Sequence, residues 1–333
     1  MKARKASVGF IYKNRDISTD ISDYIISFRY TDHSHGKLDD IELKLEDSGG
    51  LWLGEWFPSK GARVEAYIHT ENWDKPDSKK KMRCGSFLID EVSYSGMPDT
   101  ITLRGVSAVV GTGLRQQKNS KAWENIKLKG IAEEIASSHG LQVYWESKMN
   151  MGKDRYDQRD ESDLAFLKRE LDEVGFSLKV AEEKLIIFFE EDFEKRSAVL
   201  KFSRDGISNY SFRSKSQGVY SSCLVSYSDP EAKAVNEYLY TPDNAPEGGQ
   251  TLKINRRVKS QSEAEEVAKS ALYKANKFET TASFSSIGNP DLRASFIAEF
   301  EDCGHFSGRY FVDKVTHSIS SGKYVTGVEA HKL

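Results

Sequence analysis

Short runs in which apolar and polar residues alternate dominate the first hundred positions. Residues 7–12 (Ser-Val-Gly-Phe-Ile-Tyr) and 25–30 (Ile-Ile-Ser-Phe-Arg-Tyr) are rich in β-branched and aromatic side chains, and 41–45, 64–68 and 87–92 alternate cleanly. A period of two puts one set of side chains on a buried face and predicts strands. Clusters of Gly, Pro, Asn and Asp at 35–37, 48–50, 58–61 and 96–99 separate these runs. Evenly spaced short strands of this kind predict a barrel or sandwich.

The period then changes. Leu128, Ile131, Ala132, Ile135 and Ala136 recur at helical spacing, with Gly140 placed as the residue after the cap and Leu141 as its apolar contact. A second helix is predicted from an N-cap at Ser162, carries Leu164, Leu167, Leu171 and Val174 on one stripe, and stops at Gly175. Residues 176–180 and 185–189 read as a hairpin. From about 195 the strand pattern returns, interrupted by one helix in which Ser262 and Glu265 fit a capping box ahead of a stripe of Ala264, Val267, Ala268, Ala271 and Leu272.

The two strand-rich sections echo each other. Gly85-Ser-Phe-Leu-Ile-Asp-Glu-Val-Ser-Tyr-Ser95 aligns without gaps on Gly308-Arg-Tyr-Phe-Val-Asp-Lys-Val-Thr-His-Ser318. Gly85 and Gly308, Asp90 and Asp313, Val92 and Val315, and Ser95 and Ser318 are identical pairs. Upstream, Pro58 stands six residues before Val64 and Pro290 six before Phe296, which aligns Val64 with Phe296. The expected architecture is therefore mainly β with an α+β insertion: two similar β-barrel (tube) modules at 1–114 and 195–333, separated by a small α/β domain at 115–194. A module repeated within one chain lets three chains present six similar units.

Composition narrows the function classes. Of 333 residues, 48 are Lys or Arg and 51 Asp or Glu, a net charge of -3, so no global field attracts nucleic acid or a membrane. The longest clear apolar run, 185–189, is far below the ~20 residues of a membrane helix. The N-terminus has charge but no apolar stretch behind it, and Cys84, Cys223 and Cys303 show no paired spacing. These features predict a soluble protein made in a reducing compartment.

Several segments together resemble the phage late control gene D family. They are Leu114-Arg115, Ile131-Ala-Glu-Glu-Ile-Ala-Ser-Ser-His-Gly-Leu141, Glu161-Ser-Asp-Leu-Ala-Phe-Leu-Lys-Arg169, the hairpin after Gly175, and Phe306-Ser-Gly-Arg-Tyr-Phe-Val-Asp-Lys-Val-Thr-His317. The family comprises tail-hub (baseplate hub) proteins of contractile tails, related to the N-terminal part of type VI secretion spike proteins. The resemblance implies a non-enzymatic homotrimer with pseudo-six-fold symmetry that adapts a hexameric tail tube to a trimeric spike. Implied partners are the tail tube or a tube-initiator protein, a spike protein and baseplate wedge proteins, with a tape measure protein as a further candidate. No membrane, no sequence-specific nucleic acid and no cofactor is implied. The protein would be made in the bacterial cytoplasm and assembled into the baseplate of a virion tail or tail-like particle. A tail-associated peptidoglycan hydrolase is the rival reading.

Candidate chemistry is sparse. His33 and His35 have a metal-ligand spacing on an extended segment, but the surface hairpin expected at Gly36 favours solvated imidazoles. Asp39-Asp40, Glu182-Glu183 and Glu190-Glu-Asp192 are the carboxylate clusters from which a glycosidase pair would be drawn. Their polar company at strand ends reads as solvated loop. No phosphate-binding glycine loop, His-Glu-x-x-His or Gly-x-Ser-x-Gly motif is present. Lys79-Lys-Lys-Met-Arg83, after Trp73, is the one basic run and reads as a charged loop.

Overall fold

A computed structural model describes residues 2–108, 112–148, 150, 152–181, 184–229, 234–243, 245, 248–255, 258 and 261–333. The first section contains β1 (Lys5–Tyr12), β2 (Arg15–Asp16), α1 (Ser18–Ile21), β3 (Ile25–His33), β4 (Asp40–Glu46), β5 (Arg63–Glu71), β6 (Lys79–Ser95) and β7 (Thr100–Ser107). The middle section contains α2 (Thr112–Gln116), β8 (Lys118–Glu124), α3 (Leu128–Ser138), β9 (Gln142–Glu146), β10 (Arg155–Ser162) and α4 (Asp163–Glu173). It continues through β11 (Phe176–Ala181), β12 (Lys184–Phe189) and α5 (Glu190–Glu194). The last section holds β13 (Leu200–Ser203), β14 (Ser208–Ser214), β15 (Tyr220–Asp229), β16 (Ala234–Tyr240), β17 (Gln250–Asn255) and α6 (Gln261–Asn276). β18 (Thr280–Ile287), β19 (Ile297–Glu301), β20 (Gly308–Ser320) and β21 (Lys323–Lys332) follow. The chain is mainly β, with the helices, apart from the short α1, gathered in the middle section and in α6.

Five strands of the first section and five of the last follow one spatial order: β3-β4-β7-β6-β5 and β14-β18-β21-β20-β19. Their registers agree. Ile89 opposes Gly105 and Val312 opposes Ala330, and each pair precedes a bulge at Asp90 or Asp313. Ala66 opposes Gly85, and Phe300 opposes Gly308. Both glycines hold the same left-handed backbone, φ 133° and 132°, which a side chain would strain. The entry to each preceding strand is equivalent too: Gly61 N–H donates to Ile89 and Ser295 N–H to Val312, both from positive φ. This register pairs Val64 with Ala298, so the alignment of Val64 on Phe296 is displaced by two residues. A two-residue slip leaves the in–out phase unchanged, and only the hydrogen bonds distinguish it.

The copies differ in their trimmings. β1 runs antiparallel to β5, whereas β13 runs parallel to β19. Between β14 and β18 the last section inserts the sheet β16-β15-β17 with α6 against it, around a core of Cys223, Val225, Val258, Ala264, Ala268 and Leu272. β3 pairs with β20 from His33–Lys314 to Ser27–Ser320, joining both copies in one thirteen-stranded sheet. Its path runs from β14 to β2, and no strand pairing among the described residues joins those ends.

The helices follow from their apolar stripes. Leu128, Ile131, Ala132, Ile135 and Ala136 bury one face of α3, and Gly140 (φ 69°) lets Leu141 N–H return to the Ala136 carbonyl. The Ser162 hydroxyl caps α4 by accepting from Ala165 N–H at 3.3 Å. These helices share a core with β11, β12, Trp123 and Tyr156. Two expectations need correction. Ser262 lies inside α6, which starts at Gln261, so it is not the cap. Lys79–Arg83 is not a loop but part of β6: Met82 and Cys84 turn inward, while Lys79 and Arg83 face Glu71 and Glu65 across the strand pair. Trp73 is buried and donates to the Gly288 carbonyl, which removes it as a stacking platform.

Candidate functional site

The segment that leaves β3 meets both other sections. His33 still pairs with Lys314, and Ser34 N–H donates to the Asp313 carbonyl at 2.8 Å, so the chain cannot turn before Gly36. Gly36 N–H then reaches the Leu178 carbonyl at 3.2 Å, and Lys168 Nζ donates to the Gly36 carbonyl at 3.0 Å. β3 and β4 form the hairpin expected here, but its connection lies in a half-buried three-way junction and not at the open surface. Backbone pairing keeps the segment extended as far as Ser34, and the chain turns at Gly36 (φ 74°).

Charged groups hold this junction together. Asp32, 2% exposed, accepts from Lys179 Nζ at 2.6 Å and from Ala294 N–H at 3.0 Å, so one carboxylate ties the first, middle and last sections. Glu190, at the start of α5, accepts from Lys277 Nζ at 2.8 Å and from the Ser177 hydroxyl. Burial alone would raise the Glu190 carboxyl, but His35, Lys277 and these hydrogen bonds outweigh it and hold it below its ordinary range. His331 sits between Asp313 at 2.9 Å and Glu194 at 3.3 Å, and the Tyr273 hydroxyl also donates to Glu194. Burial lowers the His331 imidazole, yet its two carboxylate bonds win and raise it above 6.5.

The imidazoles at 33 and 35 do not converge. His33 Nε2 lies 3.4 Å from Asp40, whereas His35 Nε2 lies 3.1 Å from Glu190 and its Nδ1 2.8 Å from the Ser34 hydroxyl. Burial pushes His35 down to about 4, so its ring is neutral at neutral pH, and its Nε2 also lies 3.4 Å from Lys277 Nζ. No group of three or more His, Cys, Asp or Glu among the described residues is placed to hold a metal.

Two carboxylates read as solvated are not: Asp39 is half-buried and Glu190 buried. Asp39 accepts from His33 N–H at 3.0 Å and from the Tyr30 hydroxyl at 3.3 Å, and burial raises it to about 6. Glu190 is buried by α6 and β11, because α5 folds back on the last section instead of ending in solvent. Both carboxyls are committed to hydrogen bonds within the fold. Glu182 and Glu183 lie outside the described residues. Asp32, Lys179, Lys277 and Glu194 carried no periodic signal, while Asp313 carried one through the echo.

The repeated strand places its eight marked residues in matching positions with different surroundings. Asp90 is exposed and reaches Arg115 at 3.5 Å, whereas Asp313 binds His331. Val92 is half-buried and Val315 fully buried; Ser95 is exposed, while Ser318 faces Arg29 of β3. A second surface feature belongs to the first copy. Leu51, Leu53, Trp56 and Phe57 are exposed, and Trp56 and Phe57 wall a groove of about 530 Å³ against β1 and α1. No helix among the described residues is long and apolar enough to cross a membrane.

Over 98% of its length the chain superimposes on 98% of the prophage MuSo2 43 kDa tail protein of Shewanella oneidensis, with a TM-score of 0.75 at 11% identity. The fold is that of a phage tail protein. The E. coli c3393 protein, a type VI secretion component similar in structure to the T4 tail proteins gp27 and gp5, matches 93% of this chain and 74% of its own at a TM-score of 0.57 and 12% identity. In sequence, a probable baseplate hub protein of Escherichia phage P2 is 30% identical over 175 residues, 52% of this chain. That match spans 42% of the phage P2 protein, about two fifths of its length. No family model matches the chain. The tail-protein fold accommodates both copies of the strand module and the section between them.

Proposed function

We propose that this chain is the structural hub of a contractile tail or tail-like particle, a homotrimer that adapts a six-fold tube to a three-fold spike. The observation that carries this reading is the repeat: two modules of one strand order, side by side in one sheet. Three chains with two modules each supply six similar units around an axis, while the differences between copies leave a true three-fold. The similarity to a probable baseplate hub protein supports the same reading. The tube module spans 1–114, the α/β insertion 115–194 and the second tube module 195–333. Tube, spike and baseplate wedge proteins are its partners, and a tape measure protein is a further one. The chain is made in the bacterial cytoplasm and assembled into the baseplate.

The role is mechanical, not catalytic. The carboxyls with shifted titration, half-buried Asp39 and buried Glu190, are held by groups of the fold, and this supports a scaffold over a cell-wall hydrolase. Mass measurement of the protein with and without its spike, and imaging along the assembly axis, test the proposal. A three-fold ring with six similar lobes is expected; a stable dimer or tetramer, or clearing of purified cell walls, overturns it.

A further inference from the structure

The seam within this chain is a template for a contact that the same chain leaves open. β20 binds β21 along one edge, and the second half of its other edge, Lys314–Ser320, binds β3. Its counterpart β6 binds β7 along one edge and spends Lys79–Leu88 of the other on β5. Among the described residues, no strand pairs with that second edge at 91–95. The counterpart of β3 is β14, in which Phe212 stands where Tyr30 does: Phe212 opposes Ala282 as Tyr30 opposes Ile41. Among the described residues, β14 pairs only with β18. Its sequence, Ser-Asn-Tyr-Ser-Phe-Arg-Ser, has no proline and one charge, so little protects the free edge from a second strand.

We propose that β14 of one copy pairs antiparallel with residues 91–95 of β6 in the next copy, in the register of β3 on β20. This rests on the hub reading, and it names the edges that close the ring. Carrying the internal pairs over places Glu91 opposite Lys215, Val92 opposite Ser214, Ser93 opposite Arg213, Tyr94 opposite Phe212 and Ser95 opposite Ser211. Each element of the contact fits its model. Tyr94 on Phe212 replaces His317 on Tyr30, which stack with centroids 5.8 Å apart, and Glu91 meets a lysine. Ser93, Ser95, Ser211 and Arg213 are exposed, as an uncovered edge requires. Every module then contributes four consecutive strands, β6-β7-β4-β3 or β20-β21-β18-β14, to a sheet that continues from copy to copy.

Cysteine pairing tests the register in the full chain with Cys303→Ser, because Cys84 and Cys223 are buried. Directly opposed residues in an antiparallel pair lie within disulfide reach, and residues two positions off register do not. Ser95→Cys combined with Ser211→Cys is therefore expected to give, on oxidation, covalent species that end at three chains, at least about tenfold more than Ser93→Cys with Ser211→Cys. Neither single variant should give that ladder. A trimer by mass whose Ser95→Cys/Ser211→Cys form does not cross-link overturns this pairing and leaves the hub reading standing. A chain that stays a single copy in solution and in assembled particles overturns both.

Discussion

The two copies of the strand module share a backbone and differ in what covers it. At Asp90 and Asp313 the same bulge turns the same residue out of the ladder, yet one carboxylate meets solvent and Arg115 and the other meets buried His331. At Ser95 and Ser318 the same strand half is bare in one copy and covered by β3 in the other. A repeated sequence motif therefore fixes local geometry, such as a glycine kink or a bulge, but not the job of the residue placed there. The surroundings assign the job.

The largest effects are expected in the two cores. Phe87 and Tyr310 occupy equivalent buried sites, 1% and 0% exposed. Truncating either to alanine is expected to cost about 3–5 kcal/mol. If the shared sheet makes the copies one cooperative unit, urea unfolding followed by fluorescence and by circular dichroism will shift together for both variants. Two separated transitions, each moved by only one variant, would show that the seam does not couple them.

A slightly smaller effect is expected at the junction. Lys179→Met leaves Asp32 buried without its cation, and Lys277→Met does the same to Glu190; each should cost about 3 kcal/mol. Proteolysis of native protein should show that Lys179→Met loosens all three sections, whereas Lys277→Met loosens the middle section from the last. The glycine kinks come next. Gly85→Ala and Gly308→Ala place a side chain at φ 133° and 132° and should each cost about 1–3 kcal/mol in denaturant titrations, by similar amounts. A large inequality would mean that the shared kink is relieved in one copy.

The smallest effect separates the two aspartates by pH. The folded His331 titrates above its ordinary value, so its contribution is fully present below about 6.5 and is lost as pH rises through the folded pKa. Asp313→Asn removes one of its two carboxylate partners and should flatten stability against pH in that window. Asp90→Asn should leave the profile unchanged and alter stability by less than about 0.5 kcal/mol. His35 works in the opposite sense. Its folded value near 4 means that stability is present above 6.5 and falls away as pH drops toward 4. Midpoints of thermal unfolding from pH 4 to 9 would reveal both flanks.

Much of this architecture was legible in the chain. Alternation located β1, β3, β4, β5 and β6, the stripes located α3 and α4, and the eleven-residue echo located the repeat, because those signals are local. The seam between β3 and β20 was not legible. Nothing in Ile25–His33 distinguishes a strand that ends a module from one that continues into another. The junction was hidden for the same reason: Asp32, Lys179, Glu190 and Lys277 lie far apart along the chain with no shared spacing, and only folding brings them together. His33 and His35 have the spacing of a ligand pair, but the fold gives each its own carboxylate, Asp40 for His33 and Glu190 for His35, which spacing alone does not reveal.

One feature bears on the order of events during synthesis. The core of the first copy includes Ile319 and Tyr324, and the outer edge of β3 stays uncovered until β20 arrives. A nascent chain that has finished its first hundred residues therefore holds an incomplete core and an open strand edge. It must wait for residues more than two hundred positions later, and such distant pairing is slow. The waiting intermediate exposes the kind of edge that aggregates or recruits chaperones. Completion of the core thus reports that translation has passed residue 324, and a chain cut short of it lacks a finished first copy.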